Sequence, residues 1–86
     1  MPLICTFRGI RIYIYWDDHY PAHFHAEYNG ENVVVDIEKL EVEEGGIPSK
    51  QLKMLLGWAA IHQDELLENW NLAKSGTEPF LIDPLK

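Results

Sequence analysis

Asn29-Gly30 sits between two β-rich runs, His23–Tyr28 and Glu31–Ile37. Asn-Gly in that setting is the strongest short-range hairpin signal. A type I′ turn needs positive φ at both central positions, and these two residues tolerate it best. A two-residue loop then sets the register. Tyr28 stands opposite Glu31, Ala26 opposite Val33, His25 opposite Val34, Phe24 opposite Val35 and His23 opposite Asp36. Side chains alternate across a strand. Phe24, Ala26 and Tyr28 therefore share a core face with Val33, Val35 and Ile37. His23, His25 and Glu27 share the opposite face with Asn32, Val34 and Asp36.

The flanking segments extend this sheet. Leu3–Phe7 is short and apolar, and Arg8-Gly9 supplies a turn. Ile10–Trp16 alternates, with Ile10, Ile12, Ile14 and Trp16 on one face and Arg11, Tyr13 and Tyr15 on the other. Period two marks a half-buried strand. Leu40–Glu43 adds an edge strand blunted by Glu41 and Glu43, and Gly45-Gly46 ends it.

Beyond Pro48, which suits a first helical turn, a helical segment spans 49–75 and stops at Ser75-Gly76. Leu52, Leu55, Leu56, Ala59, Leu66, Trp70 and Ala73 form its main apolar stripe. An unbroken helix of this length would span roughly 39 Å, about twice a six-residue strand. Met54, Trp58, Ile61 and Leu72 lie roughly opposite the main stripe. Either the helix breaks near Gln63-Asp64 and folds back, or a second apolar face is left for a partner. The segment 77–86 contains Pro79 and Pro84 and is expected to lie extended over the domain.

The expected fold class is α+β in two layers. A four- to five-stranded, mainly antiparallel sheet (residues 3–43) carries one long or broken helix packed on one face. Eighty-six residues hold a single domain, 1–86.

A net charge of −7 argues against nucleic acid as a partner. Residues 31–48 set one lysine, Lys39, against six acids. That segment reads as a solvated edge or as a docking surface for a basic partner. No apolar run approaches the ~18 residues of a membrane span. The lone Cys5 forms no internal disulfide and reads as a core thiol. With no secretory pattern at the N-terminus, the expected location is the cytoplasm.

Three of the four histidines fall within seven residues, in Asp17-Asp18-His19-Tyr20-Pro21-Ala22-His23-Phe24-His25. His23 and His25 point the same way from one strand, and such a pair suits zinc or another transition metal. Asp36, across from His23, offers a third ligand or an acceptor that fixes an imidazole tautomer. His19, Asp17 or Asp18 can close the site from the loop. The bland alternative is a polar outer sheet face with a His23–Asp36 cross-strand pair. His62, four residues after Trp58, reads as a packed histidine. No nucleophile elbow or phosphate-cradling loop is present, and no catalytic set declares itself.

The chain resembles the small prokaryotic family called domain of unknown function 4160. The likeness rests on Phe7-x-Gly9-Ile10-x-Ile12, on Asp18-His19-x-Pro21-x-His23-Phe24-His25-Ala26-x-Tyr28-x-Gly30, on Gly46-Ile47-Pro48, and on Trp58 and Trp70. It covers nearly the whole chain and includes the three clustered histidines. Family members often carry a second proline where Ala22 stands, so the loop here is less rigid. The family has no established activity. Its genes often neighbour those of another small uncharacterised domain, an arrangement that looks like a toxin–antitoxin or accessory pair. The resemblance thus implies a small partner-binding protein.

Two functions follow as expectations. The first is an interaction module with a protein partner or a second copy, using Arg11, Tyr13 and Tyr15 on the sheet and Met54, Trp58 and Ile61 on the helix. The second is a transition-metal-binding protein, or a metal-dependent hydrolase, built on His19, His23, His25 and Asp36.

Overall fold

The computed structural model of the chain describes residues 2–16 and 19–85, and it begins with two tight hairpins. Strands β1 (Leu3–Phe7) and β2 (Ile10–Tyr13) are joined by Arg8 and Gly9, with φ of 48° and 80°. Strands β3 (His23–Tyr28) and β4 (Glu31–Asp36) are joined by Asn29 and Gly30, with φ of 49° and 82°. Both pairs take the doubly positive backbone that matches a twisted two-residue hairpin. The β3–β4 register is the expected one at each of its six pairs, from His23–Asp36 to Tyr28–Glu31. Strand β5 (Glu41–Gly45) completes an antiparallel meander in the order β1-β2-β3-β4-β5.

Two strand limits differ from expectation. β2 stops at Tyr13, so Trp16 leaves the core face and is 65% exposed. Ile14 stays buried in the core, and its N–H donates to the Pro2 carbonyl at 3.2 Å. β5 starts after Leu40, whose φ of 56° belongs to the turn, and runs on to Gly45. A bulge lies between the Val34–Glu44 and Val35–Val42 pairs and leaves Glu43 without a cross-strand partner.

The helical segment is broken into α1 (Ser49–Ile61) and α2 (Gln63–Lys74), with His62 at φ −108° and ψ 23° between them. The His62 N–H still donates to Trp58 O at 3.0 Å, and the Leu66 N–H to His62 O at 2.9 Å. No loop separates the two helices, so the break is a kink and not a fold-back. Gln63 holds the kink against the sheet by donating from Nε2 to the Ile37 and Glu38 carbonyls, at 2.8 and 3.1 Å. At the far end Gly76, at φ 82°, closes a Schellman cap: Gly76 N–H to Ala73 O and Thr77 N–H to Leu72 O.

Both helices pack on one face of the sheet. Leu55, Trp58, Ala59, Leu66, Trp70 and Ala73 meet Ile10, Ile12, Phe24, Ala26, Val33 and Val35 in one core. This corrects the expected helix surface. Trp58 is fully buried, with its ring 5.7 Å from Phe7 and 6.1 Å from Phe24. It follows Leu55 by three positions, which places the two side by side on a helix. Met54 is partly buried against the same core, and of the three residues expected on that surface Ile61 alone is exposed.

The tail lies over the domain through backbone contacts. Asn69, buried in α2, donates from Nδ2 to the Phe80 carbonyl at 2.8 Å and accepts from the Phe80 N–H at 2.9 Å. Trp58 Nε1 donates to the Asp83 carbonyl at 2.8 Å. The Ile82 N–H donates to the Ile4 carbonyl at 2.9 Å and so caps part of the β1 edge. Among the described residues no helix is long and apolar enough to cross a membrane.

Candidate functional site

The face of the sheet turned away from the helices is built from cross-strand rows. One row runs Leu3, Tyr13, His25, Val34, Glu44 across all five strands. A second runs Thr6, Arg11, Glu27, Asn32. Arg11 and Glu27 approach to 3.7 Å, an exposed pair that contributes little to stability.

Along this face the rings form a continuous string. Tyr13 and Tyr15 stack at 6.3 Å with planes 16° apart. Tyr15 meets His25 edge-on at 4.5 Å. His25 lies 5.2 Å from His23, and His23 lies 6.2 Å from His19. His23 then turns the string inward to Trp70, and Tyr20 sits 5.6 Å from the same indole. The Tyr20–Pro21 peptide bond that precedes β3 is cis.

A pocket of about 380 Å³ opens beside the string. It is lined by His19, Pro21, His23, His25, Val34, Glu43 and Glu44. The β4–β5 bulge explains how two consecutive glutamates reach one rim. An extra residue in one strand of a pair breaks the strict alternation of faces. The expected three histidines line one pocket, and the acids that line it with them are Glu43 and Glu44; Asp36, the cross-strand partner of His23, is not among its lining residues. Asp36 is 3% exposed, and its Oδ1 accepts the Lys39 N–H at 2.8 Å, which shapes the turn after β4. Asp17 and Asp18, named from the sequence as loop donors, lie outside the described residues.

Among the described residues no group of three or more His, Cys, Asp or Glu side chains is arranged to hold a metal ion. His23 Nδ1 donates to the Pro21 carbonyl at 2.7 Å, which commits that nitrogen to the loop. His62, as expected, is a packed histidine. Its ring is 5.4 Å from Trp58, and its Nδ1 is 2.5 Å from Glu65 Oε1.

A larger hollow, about 600 Å³, lies between the N-terminus and the tail, lined by Pro2, Trp16, Gly76, Thr77, Glu78 and Pro79. Among the described residues Glu78 is its one charged lining residue, and these residues show none of the polar convergence of the histidine pocket.

Sequence reasoning missed Glu43, Glu44 and Trp70 as neighbours of the histidines. The bulge that gathers Glu43 and Glu44 carries no local mark, since Gly45 lies outside it, paired in register with Val33.

A family model described as Domain of unknown function (DUF4160) matches residues 9–71, from β2 to near the end of α2. The matched span contains the whole aromatic string and both pocket glutamates. No curated protein and no solved structure matches the chain.

Proposed function

We propose that this chain, which belongs to the DUF4160 family of domains of unknown function, is a partner-binding module whose contact surface is the open face of its sheet. One observation carries the reading. The helices cover one face, while the other presents Tyr13, Tyr15, His25 and His19 beside a pocket, with the buried His23 behind them. Rigid aromatic side chains with polar tips supply large contact area at low entropic cost, and they are over-represented among residues that dominate binding. Arg11, at the end of this face, adds a further anchor.

The finer reading is one half of a toxin–antitoxin-like pair acting in the cytoplasm, with a small partner made alongside it. The net charge of −7 suits a basic partner, because opposite charge speeds and orients encounter. The helix surface does not support a second interface, since Trp58 is core and Met54 packs at its margin.

The test is photo-cross-linking in cells. A photoreactive residue at Tyr13 or Val34 is expected to trap one protein of defined mass. The same residue at the exposed Lys53 of α1 is expected to trap none. Equal capture from both faces, or none from the sheet face, overturns the proposal.

A further inference from the structure

The sheet has two edges, and the chain treats them differently. The β1 edge is met by the chain's own tail through the Ile82 N–H to Ile4 O bond. The β5 edge has no neighbouring strand among the described residues, and all five of its residues are exposed. An edge strand of this kind presents unpaired N–H and C=O groups, which template the addition of another strand.

Charge decides what such a strand can be. β5 carries Glu41, Glu43 and Glu44 within five residues. A second copy of this chain would set the same carboxylates against each other, and like charges across a strand pair are destabilising. An uncharged apolar strand would crowd those carboxylates beside apolar side chains with no counter-charge. A strand with lysine or arginine satisfies them. The side-chain pattern sharpens this further. Glu44 is paired with Val34 on the open face, whereas Val42 is paired with the core residue Val35 and is left 39% exposed. The complement therefore alternates: basic side chains toward the open face, aliphatic ones over Val42. On the open side the bulge brings Glu43 and Glu44 together at the rim of the pocket shared with His25, where a long cationic side chain fits.

We propose that the β5 edge takes an extended basic segment of a partner protein as a sixth strand, with one lysine or arginine seated between Glu43, Glu44 and His25. This rests on the partner-binding reading above and names the chemistry of the partner.

The probe is a six-residue capped peptide alternating lysine and valine, titrated into the isotopically labelled full chain and followed by amide resonances. Saturable shifts centred on Glu41–Gly45 are expected. An alternating glutamate–valine peptide is expected to give none. N-methylation of every second peptide amide leaves the charge but removes the ladder donors on one side, and it is expected to weaken binding at least tenfold. The Glu43→Lys/Glu44→Lys chain, altered only at exposed positions, is expected to reverse the preference between the two peptides. Equal affinity of the methylated peptide overturns strand addition. Shifts confined to Tyr13, His25 and Val34 overturn the edge proposal and leave the open-face reading standing. No saturable shift anywhere also overturns it, while the open-face reading is decided separately by the cross-linking in cells.

Discussion

His23, the first residue of β3, packs its imidazole 5.1 Å from the indole of Trp70 in α2, with the two planes 48° apart. The same imidazole lies 5.2 Å from His25 on the open face. His23 is therefore the link between the pocket and the helix layer, and it is 7% exposed. Trp70 is 1% exposed, and among the described residues its Nε1 has no hydrogen-bond partner. Its position depends on ring packing with His23 and Tyr20 and on the Lys74 ammonium 5.5 Å from its centroid.

His23→Ala should therefore cost stability as a buried large-to-small change does, about 2–4 kcal/mol. His23→Phe keeps the ring and loses the Nδ1 bond to Pro21, so it should cost less than half as much. Urea denaturation of the two variants checks the order. Equal losses would assign the stability to the loop hydrogen bond instead of the packing.

Gly45 makes a second, sharper case. Its φ is 72°, and a Cβ placed there would overlap the backbone oxygen of Asn32. Gly45→Ala should destabilise by more than the ~1–2 kcal/mol of left-handed backbone alone, because the obstruction is main chain and cannot rotate away. Gly46 is the control: nothing lies within 4 Å of a Cβ built on it, and its φ is not positive. Gly46→Ala should be neutral or stabilise by about 0.4–1 kcal/mol. Thermal or urea unfolding of the pair reads the difference.

These two sites show where sequence stops being legible. The β3–β4 register could be read residue by residue, because Asn29-Gly30 is a local signal and each pair follows from it. The face shared by Tyr13, Tyr15, His23 and His25 followed from the same alternation. The bulge that brings Glu43 beside Glu44 did not, because the Asn32 carbonyl that fits Gly45 comes from another strand. The place of Trp58 was legible in principle, since Leu55, Trp58 and Ala59 are neighbours at helical spacing. Counting from Leu52 and Leu56 hid it: both lie at the core margin, and the true stripe runs through Trp58 and Asn69. A buried asparagine carries no hydrophobic signal, and its reason, the Phe80 backbone, lies in the tail.

Asn69→Ala should release that tail. It leaves the Phe80 N–H and C=O without their partner and removes a buried amide, and each unsatisfied backbone group costs about 1–3 kcal/mol. Amide hydrogen exchange at Phe80 and Ile82 should speed up by more than it does in β3. Uniform acceleration throughout the chain would instead make the tail part of one cooperative unit with the sheet.

Cys5 gives a prediction in pH. It is buried, and that burial raises its thiol pKa above the ordinary 9.0. A backbone hydrogen bond with Thr6 opposes the rise, and the charge of Asp83 adds to it. A raised pKa means that the folded state holds the proton more tightly than the unfolded state does. The contribution to stability is then complete below the unfolded pKa and is lost as pH rises through the folded one. Lysines and tyrosines also titrate in that range, so the comparison is with Cys5→Ala, which shares them. The stability of the natural chain relative to Cys5→Ala should be constant at neutral pH and decline once pH passes 9.0. A thiol reagent should label the native chain far more slowly than the unfolded chain, because attack needs an exposed thiolate. A flat difference to about pH 10, past the range where free thiols ionise, would mean that the thiolate is tolerated inside the fold.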